Sequence, residues 1–116
     1  MEEIRQKFPR IKTCTAFPEG KVDLLVNATS VGLKRGDALP LDDEHFPLNR
    51  AAAVFDMIYR PAETSLLKAA KAAGCRTANG TGMLLHQGAR ALELWTGRMA
   101  PMEVMRDALV KNVYGD

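Results

Sequence analysis

Asn79-Gly80-Thr81-Gly82-Met83-Leu84-Leu85-His86-Gln87-Gly88-Ala89 is the stretch that decides how this chain folds. It follows a short run, Cys75 to Ala78, that reads as a strand, and it opens a long amphipathic pattern that reads as a helix. Gly80 and Gly82 therefore fall at a strand-to-helix turn. Glycine there frees the backbone and lets a neighbour come close. A helix N-terminus adds unpaired N–H groups and the positive end of the peptide dipole. Met83 and Gln87 are four residues apart and share one face of the first turns. A planar ligand against the turn would meet Gln87, whose amide both donates and accepts. The plainer alternative is that the glycines only start the helix and Gln87 faces water.

Two earlier segments have the same strand-then-polar character. Val22 to Val26 is a compact apolar run bounded by Pro18-Glu19-Gly20 before it and Asn27-Ala28-Thr29-Ser30 after it. Ala53 to Ile58 is the second, ending in Asp56-Met57-Ile58-Tyr59. Such runs are typical of buried parallel strands. Three strand ends followed by polar or glycine residues predict one rim of an α/β sheet, where ligands bind at the carboxyl ends of the strands.

The remaining pattern is helical or irregular. Ile4 and Phe8 suggest a helix over 1–8 stopped by Pro9. Thr13 to Thr15 reads as a short strand, and residues 33–50 read as loop. Thr64 is placed to cap a helix bearing Leu66, Leu67, Ala70 and Ala73, closed by Gly74. The long helix runs from Gly82 to Thr96, with Leu84, Gly88, Ala91 and Trp95 in one stripe and Leu85, Ala89 and Leu92 beside it. Gly97 ends it, and Pro101 opens a last helix with Met102, Met105, Leu109 and Val113 inward. The order predicts an α/β fold: a partial Rossmann-like, three-layer domain with a mostly parallel sheet and C-terminal helices.

Composition narrows the function classes. The chain has 116 residues, 47% of them hydrophobic, which suits a globular domain. A net charge of +2 without a basic run gives no reason to expect nucleic acid or membrane binding. No apolar stretch reaches the roughly 18 residues that span a bilayer. Cys14 and Cys75 have no metal-ligand spacing and read as thiols of a reducing compartment, the cytoplasm. His45 and His86 lack carboxylate partners at ligand or triad spacing, so no metal site is expected. His86 adjoins the expected pocket. No G-x-G-x-x-G occurs, although a dinucleotide site places one after the first strand of its fold.

Each strand end has two readings. Asn27 to Ser30 is either a polar strand end touching a cofactor or a turn in which Asn27 and Thr29 satisfy their own backbone. Met57 is either a polarizable surface for a heteroaromatic ring or core, and Tyr59 either offers a hydroxyl to a polar ligand or is an interface tyrosine. Asp56 is either part of the site or a buried carboxylate that holds a loop.

Together these motifs resemble the C-terminal part of shikimate dehydrogenases. That family shows an N-A-T-x-x-G-M/L strand end, a D-x-x-Y segment, an N-G-x-G-M-L-x-x-Q-A helix start and an F/L-x-L-W-x-G helix end. Here they stand at Asn27 to Leu33, Asp56 to Tyr59, Asn79 to Ala89 and Leu92 to Gly97, in that order. The resemblance spans residues 22–113. It implies an incomplete NADP-binding Rossmann-like domain over 1–116, without the N-terminal substrate domain. It further implies reversible hydride transfer between NADPH and the ketone of 3-dehydroshikimate, a step of aromatic amino-acid (chorismate) biosynthesis. Residue by residue, Tyr59 and Gln87 would touch shikimate. Met57, Gly80 and Met83 would line the nicotinamide, and Asn27, Ala28 and Thr29 would lie near the ribose and nicotinamide.

The family's glycine-rich pyrophosphate loop, its basic segment for the 2′-phosphate and its catalytic Lys and Asp have no counterpart here. The expectation is a fragment beginning within the second helix of the nucleotide-binding domain, inactive alone. The alternatives are a relative acting on quinate or using NAD, and a non-catalytic module that homodimerises or swaps domains.

Overall fold

The computed structural model describes residues 2–34 and 36–115. Helix α1 covers Glu2–Lys7, strand β1 Val22–Asn27 and strand β2 Ala51–Asp56. Helix α2 covers Ser65–Ala72, strand β3 Arg76–Ala78, helix α3 Thr81–Thr96 and helix α4 Met102–Tyr114. The three strands form one parallel sheet in the order β1-β2-β3, with Leu25 opposite Val54 and Val54 opposite Thr77. The expected α/β architecture with a parallel sheet and C-terminal helices is the one observed.

Local chemistry sets α2. Thr64 Oγ1 accepts from Leu67 N–H at 3.3 Å, which satisfies one of the helix's orphan donors. The helix ends at Gly74, whose φ of +85° is cheap only for glycine. Leu66, Leu67 and Ala70 face the sheet and meet Val54, Ala51, Cys75, Leu48 and Phe46 in the main core. The alternate positions on β1, Leu24 and Val26, are exposed, as a period of two requires when one face is covered.

Among its described residues, the β1–β2 connection carries only the short 3-10 turn Leu48–Arg50. It nevertheless inserts Phe46 into the core. Arg50 holds this segment to the chain ahead of β1. Its Nε donates to the Gly20 carbonyl at 2.6 Å, and its guanidinium also bonds the Pro18 carbonyl and lies over the Phe46 ring.

Three expectations need correction. Thr13 to Thr15 is not a strand: it has no strand beside it, and Thr13 instead accepts hydrogen bonds from Arg5 through its hydroxyl and carbonyl. β2 starts two residues earlier than expected and stops at Asp56, because the Asp56 carboxylate captures the Ile58 N–H and turns the chain. The stripe from Leu84 to Trp95 is not the buried face of α3. Leu85 and Ala89 are buried, whereas Trp95 is 84% exposed. The α4 residues Met102, Met105, Leu109 and Val113 are half-buried, and Met105 packs beside Gly88 of α3.

Gly80 shows why the strand-to-helix turn needs glycine. It is buried, its N–H donates to the Ile58 carbonyl at 3.1 Å, and a Cβ there would stand 2.0 Å from the Met57 carbonyl oxygen. Nothing lies within 4 Å of a Cβ at Gly82. Gly80→Ala should therefore cost about 2–3 kcal/mol through forced backbone movement. Gly82→Ala should gain about 0.5–1 kcal/mol of helix stability. Urea midpoints moving in opposite directions for the two variants are the expected result; equal midpoints would contradict the close approach.

Candidate functional site

The carboxyl ends of β1 and β2 are joined by side chains as well as by the sheet. Asp56 is fully buried. Its Oδ1 accepts from Asn27 Nδ2 at 3.0 Å and from Ile58 N–H at 3.1 Å, and its Oδ2 accepts from the Thr64 hydroxyl at 2.6 Å. Asn27 is 3% exposed. Its amide also donates to the Val31 carbonyl, and its oxygen accepts from both the N–H and the hydroxyl of Thr29. Every hydrogen-bonding position of the Asn27 amide is thus engaged inside the protein. Among the described residues no buried side-chain nitrogen or oxygen lacks a partner.

On this platform opens a cleft of about 710 Å³, lined by Ala28, Thr29, Leu33, Met57, Ile58, Tyr59, Arg60 and Pro61. Its walls are mostly apolar. Polar groups come from Thr29, Tyr59 and Arg60, and the Arg60 guanidinium is in no ion pair among the described residues. A largely apolar cleft with a few convergent polar groups at strand carboxyl ends is the form of a small-ligand site. The rim on the β1 side is ordered by Asp37, whose Oδ2 accepts from the Gly32 and Lys34 N–H groups at 2.9 and 3.0 Å. These bonds, first that of Lys34 and then that of Gly32, hold the Asp37 carboxyl below its ordinary value of 3.8.

Four of the residues singled out in the sequence line this cleft: Ala28, Thr29, Met57 and Tyr59. Asn27 lies beneath it and takes the turn-forming role, the second of its two readings. Gly80 stands behind it, pressed against the Met57 carbonyl. Met83 is half-buried and Gln87 exposed on the first turns of α3; neither is part of the cleft lining. Leu33, Ile58, Arg60 and Pro61 complete the lining and are not among the residues that the sequence nominates. Arg60 and Pro61 directly follow Tyr59, so continuing that motif by two residues would have found them.

A parallel α/β sheet with a cleft at its strand ends defines the class of open-sheet ligand-binding domains. Within that class, residues 80–110 match the model of the shikimate 5′-dehydrogenase C-terminal domain. Over 87 residues the chain is 51% identical to the shikimate dehydrogenase (NADP(+)) of Natronomonas pharaonis, covering 75% of this chain and 32% of that protein. The crystal structure of shikimate 5-dehydrogenase from Thermus thermophilus in complex with NADP(H) and shikimate superposes with a TM-score of 0.66 at 44% identity, over 76% of this chain and 33% of that one. The ligand-free 5-ketofructose reductase of Gluconobacter sp. strain CHM43 superposes equally well, at 0.66 and 39% identity, over 85% and 35%. The chain matches the C-terminal portion of shikimate dehydrogenases. It spans about a third of the length of the curated relatives it matches.

Two measurements test this geometry. Asp56→Ala strands three donors, each worth about 1–3 kcal/mol when buried unpaired, so it should cost at least about 3 kcal/mol in urea unfolding. A loss below about 1 kcal/mol would show that the network is not needed. Because the Asp37 pKa is lowered by folding, its contribution to rim order is complete above pH 3.8 and is lost as the pH falls through the depressed folded value. The Gly32 and Lys34 amide proton shifts should follow that titration together, and Asp37→Asn should remove it.

Proposed function

We propose that this chain forms the nicotinamide- and substrate-facing part of an NADP-dependent shikimate dehydrogenase. The cleft carries this reading, because it gathers Ala28, Thr29, Met57 and Tyr59, all nominated by the family motifs, at the carboxyl ends of β1 and β2. Its apolar walls suit a flat heteroaromatic ring and exclude water beside it. NADPH, when bound, supplies the hydride for the ketone of 3-dehydroshikimate. Met57 and Ala28 offer the ring a polarizable, close-packed surface. Thr29 Oγ1 already donates to Asn27 Oδ1 and accepts from Val31 N–H, so it keeps one acceptor position for the ribose side, and Tyr59 offers its hydroxyl to the substrate. Gln87 and Met83, outside the cleft lining on the first turns of α3, would meet only a ligand that extends beyond the cleft, and Gly80 allows the turn to sit against the strand end. The residues present fit the nicotinamide end of the cofactor; no glycine-rich loop for its pyrophosphate occurs in the sequence.

The general acid and base of the reaction have no counterpart among these residues, so the polypeptide alone should not turn over. Shikimate-dependent reduction of NADP⁺ by the purified chain is expected to be undetectable, while NADP⁺ and shikimate should still perturb the amide resonances of residues 28–29 and 57–59. Turnover by the chain alone would overturn the first expectation, and perturbations confined elsewhere would overturn the placement of the site.

The likeness to 5-ketofructose reductase keeps a second substrate reading open, a different polyhydroxylated ketone such as 3-dehydroquinate. Competition between shikimate and quinate for those resonances discriminates the two. Self-association is a further reading, favoured by the exposed Leu24 and Val26 on β1, an edge strand of the sheet. Sedimentation that stays monomeric at high concentration would refute it. No helix among the described residues is long and apolar enough to cross a membrane.

A further inference from the structure

Tyr114, at the last position of α4, brings together three segments that are far apart in sequence. Its hydroxyl donates to the Tyr59 carbonyl at 2.5 Å. It accepts from Asn79 Nδ2 at 3.1 Å and bonds the Thr81 hydroxyl as well. A phenol has one proton and two acceptor positions. The proton goes to the Tyr59 carbonyl, which can only accept, so Thr81 donates its own proton to Tyr114. The hydroxyl is therefore fully committed. Asn79 extends the same clamp: its Nδ2 reaches the Ala62 carbonyl at 2.9 Å, and its Oδ1 accepts the Thr81 N–H at 3.0 Å. Residues 58–62 are thus pinned at Ile58 by Asp56 and Gly80, at Tyr59 by Tyr114, and at Ala62 by Asn79. Of these bonds, only the one from Tyr114 acts on the residue whose side chain lines the cleft as the substrate contact.

We propose that Tyr114 is a positioning residue: through the Tyr59 carbonyl it sets the orientation of the Tyr59 side chain and so the affinity for the hydroxyl-rich substrate, but not for the cofactor. The proposal rests on the reading of Tyr59 as the substrate contact. It also gives the C-terminal helix a role in the cleft although no α4 residue lines it.

The test uses the full chain, wild type and Tyr114→Phe, with Thr81→Val as a second variant that removes one donor to Tyr114 but leaves the Tyr59 bond. Without ligand, Tyr114→Phe should shift the Tyr59 carbonyl carbon resonance and mobilise the Tyr59 ring, with β1 and β2 amides unmoved; Thr81→Val should do so less. With ligands, Tyr114→Phe should weaken shikimate by about three- to tenfold, the loss of one modest hydrogen bond, and leave NADP⁺ affinity unchanged. A Tyr59 carbonyl and ring unaffected by Tyr114→Phe would overturn the proposal, as would an equal loss for both ligands, which marks a general structural role. If Tyr59 is mobilised but wild type shows no response to shikimate, the positioning of Tyr59 stands and the substrate reading fails instead.

Discussion

The buried carboxylate of Asp56 is the constraint on which the rest of the site depends. A carboxylate withdrawn from water is costly unless its oxygens are satisfied. Three donors satisfy it, each from a different part of the chain: the Asn27 amide at the end of β1, the Ile58 N–H just past β2 and the Thr64 hydroxyl at the start of α2. The Thr64 oxygen simultaneously caps α2. Strand end, turn and helix start are therefore set by one group. Losing any of these donors would leave a buried oxygen less well paired, which makes the arrangement cooperative. The cleft lies on top of this network, and its shape is a consequence of it.

What is legible in the sequence is what local chemistry decides. Thr64 and Gly74 mark the two ends of α2 because a cap hydroxyl and a left-handed glycine act within one turn of chain. The apolar runs of β1 and β2 mark them as strands over five or six residues, but a run does not show which face is covered: Leu24 and Val26 of β1 are exposed here. Asp56 reads in sequence as either a site residue or a loop-holding carboxylate, and the structure gives it the second role. Phe46 and Arg50 are not legible. Phe46 is buried because Arg50 ties its loop to carbonyls about thirty residues earlier in the chain, and nothing in the local pattern announces a contact over that distance. Trp95 misleads for the opposite reason: its helical spacing names a face but not which face meets a neighbour.

Apart from Met83 and Gln87 on α3, the motif residues nominated for the site divide into those that form the cleft wall and those that build what lies behind it. Ala28, Thr29, Met57 and Tyr59 line the cleft. Asn27 and Gly80 sit behind it, the first committed wholly to internal hydrogen bonds and the second excluded from bearing a side chain by the Met57 carbonyl. A short motif thus mixes cleft-lining residues with the groups that hold them in place, and sequence spacing alone does not separate the two. Their physical demands do: Asn27 needs an amide with both donors and acceptors filled, and Gly80 needs the absence of a Cβ.

The inventory of the cleft also bears on how chemistry is shared out. Reducing a ketone requires a proton for the developing alkoxide, delivered by a group that can reach it. Within the cleft the polar side chains are Thr29, Tyr59 and Arg60, and the Thr29 hydroxyl already gives its proton to Asn27 Oδ1. A hydroxyl and a guanidinium give hydrogen bonds that can orient a ligand. Asp56 is the nearest carboxylate in sequence, and its burial and three donors leave it no free oxygen to exchange a proton with substrate. His45 lies in an exposed cluster with Asp42 and Phe17, and neither it nor His86 lines the cleft. On the proposed reading, the described residues would orient a ring and a hydroxylated substrate. On that reading, proton transfer would fall to groups of another kind.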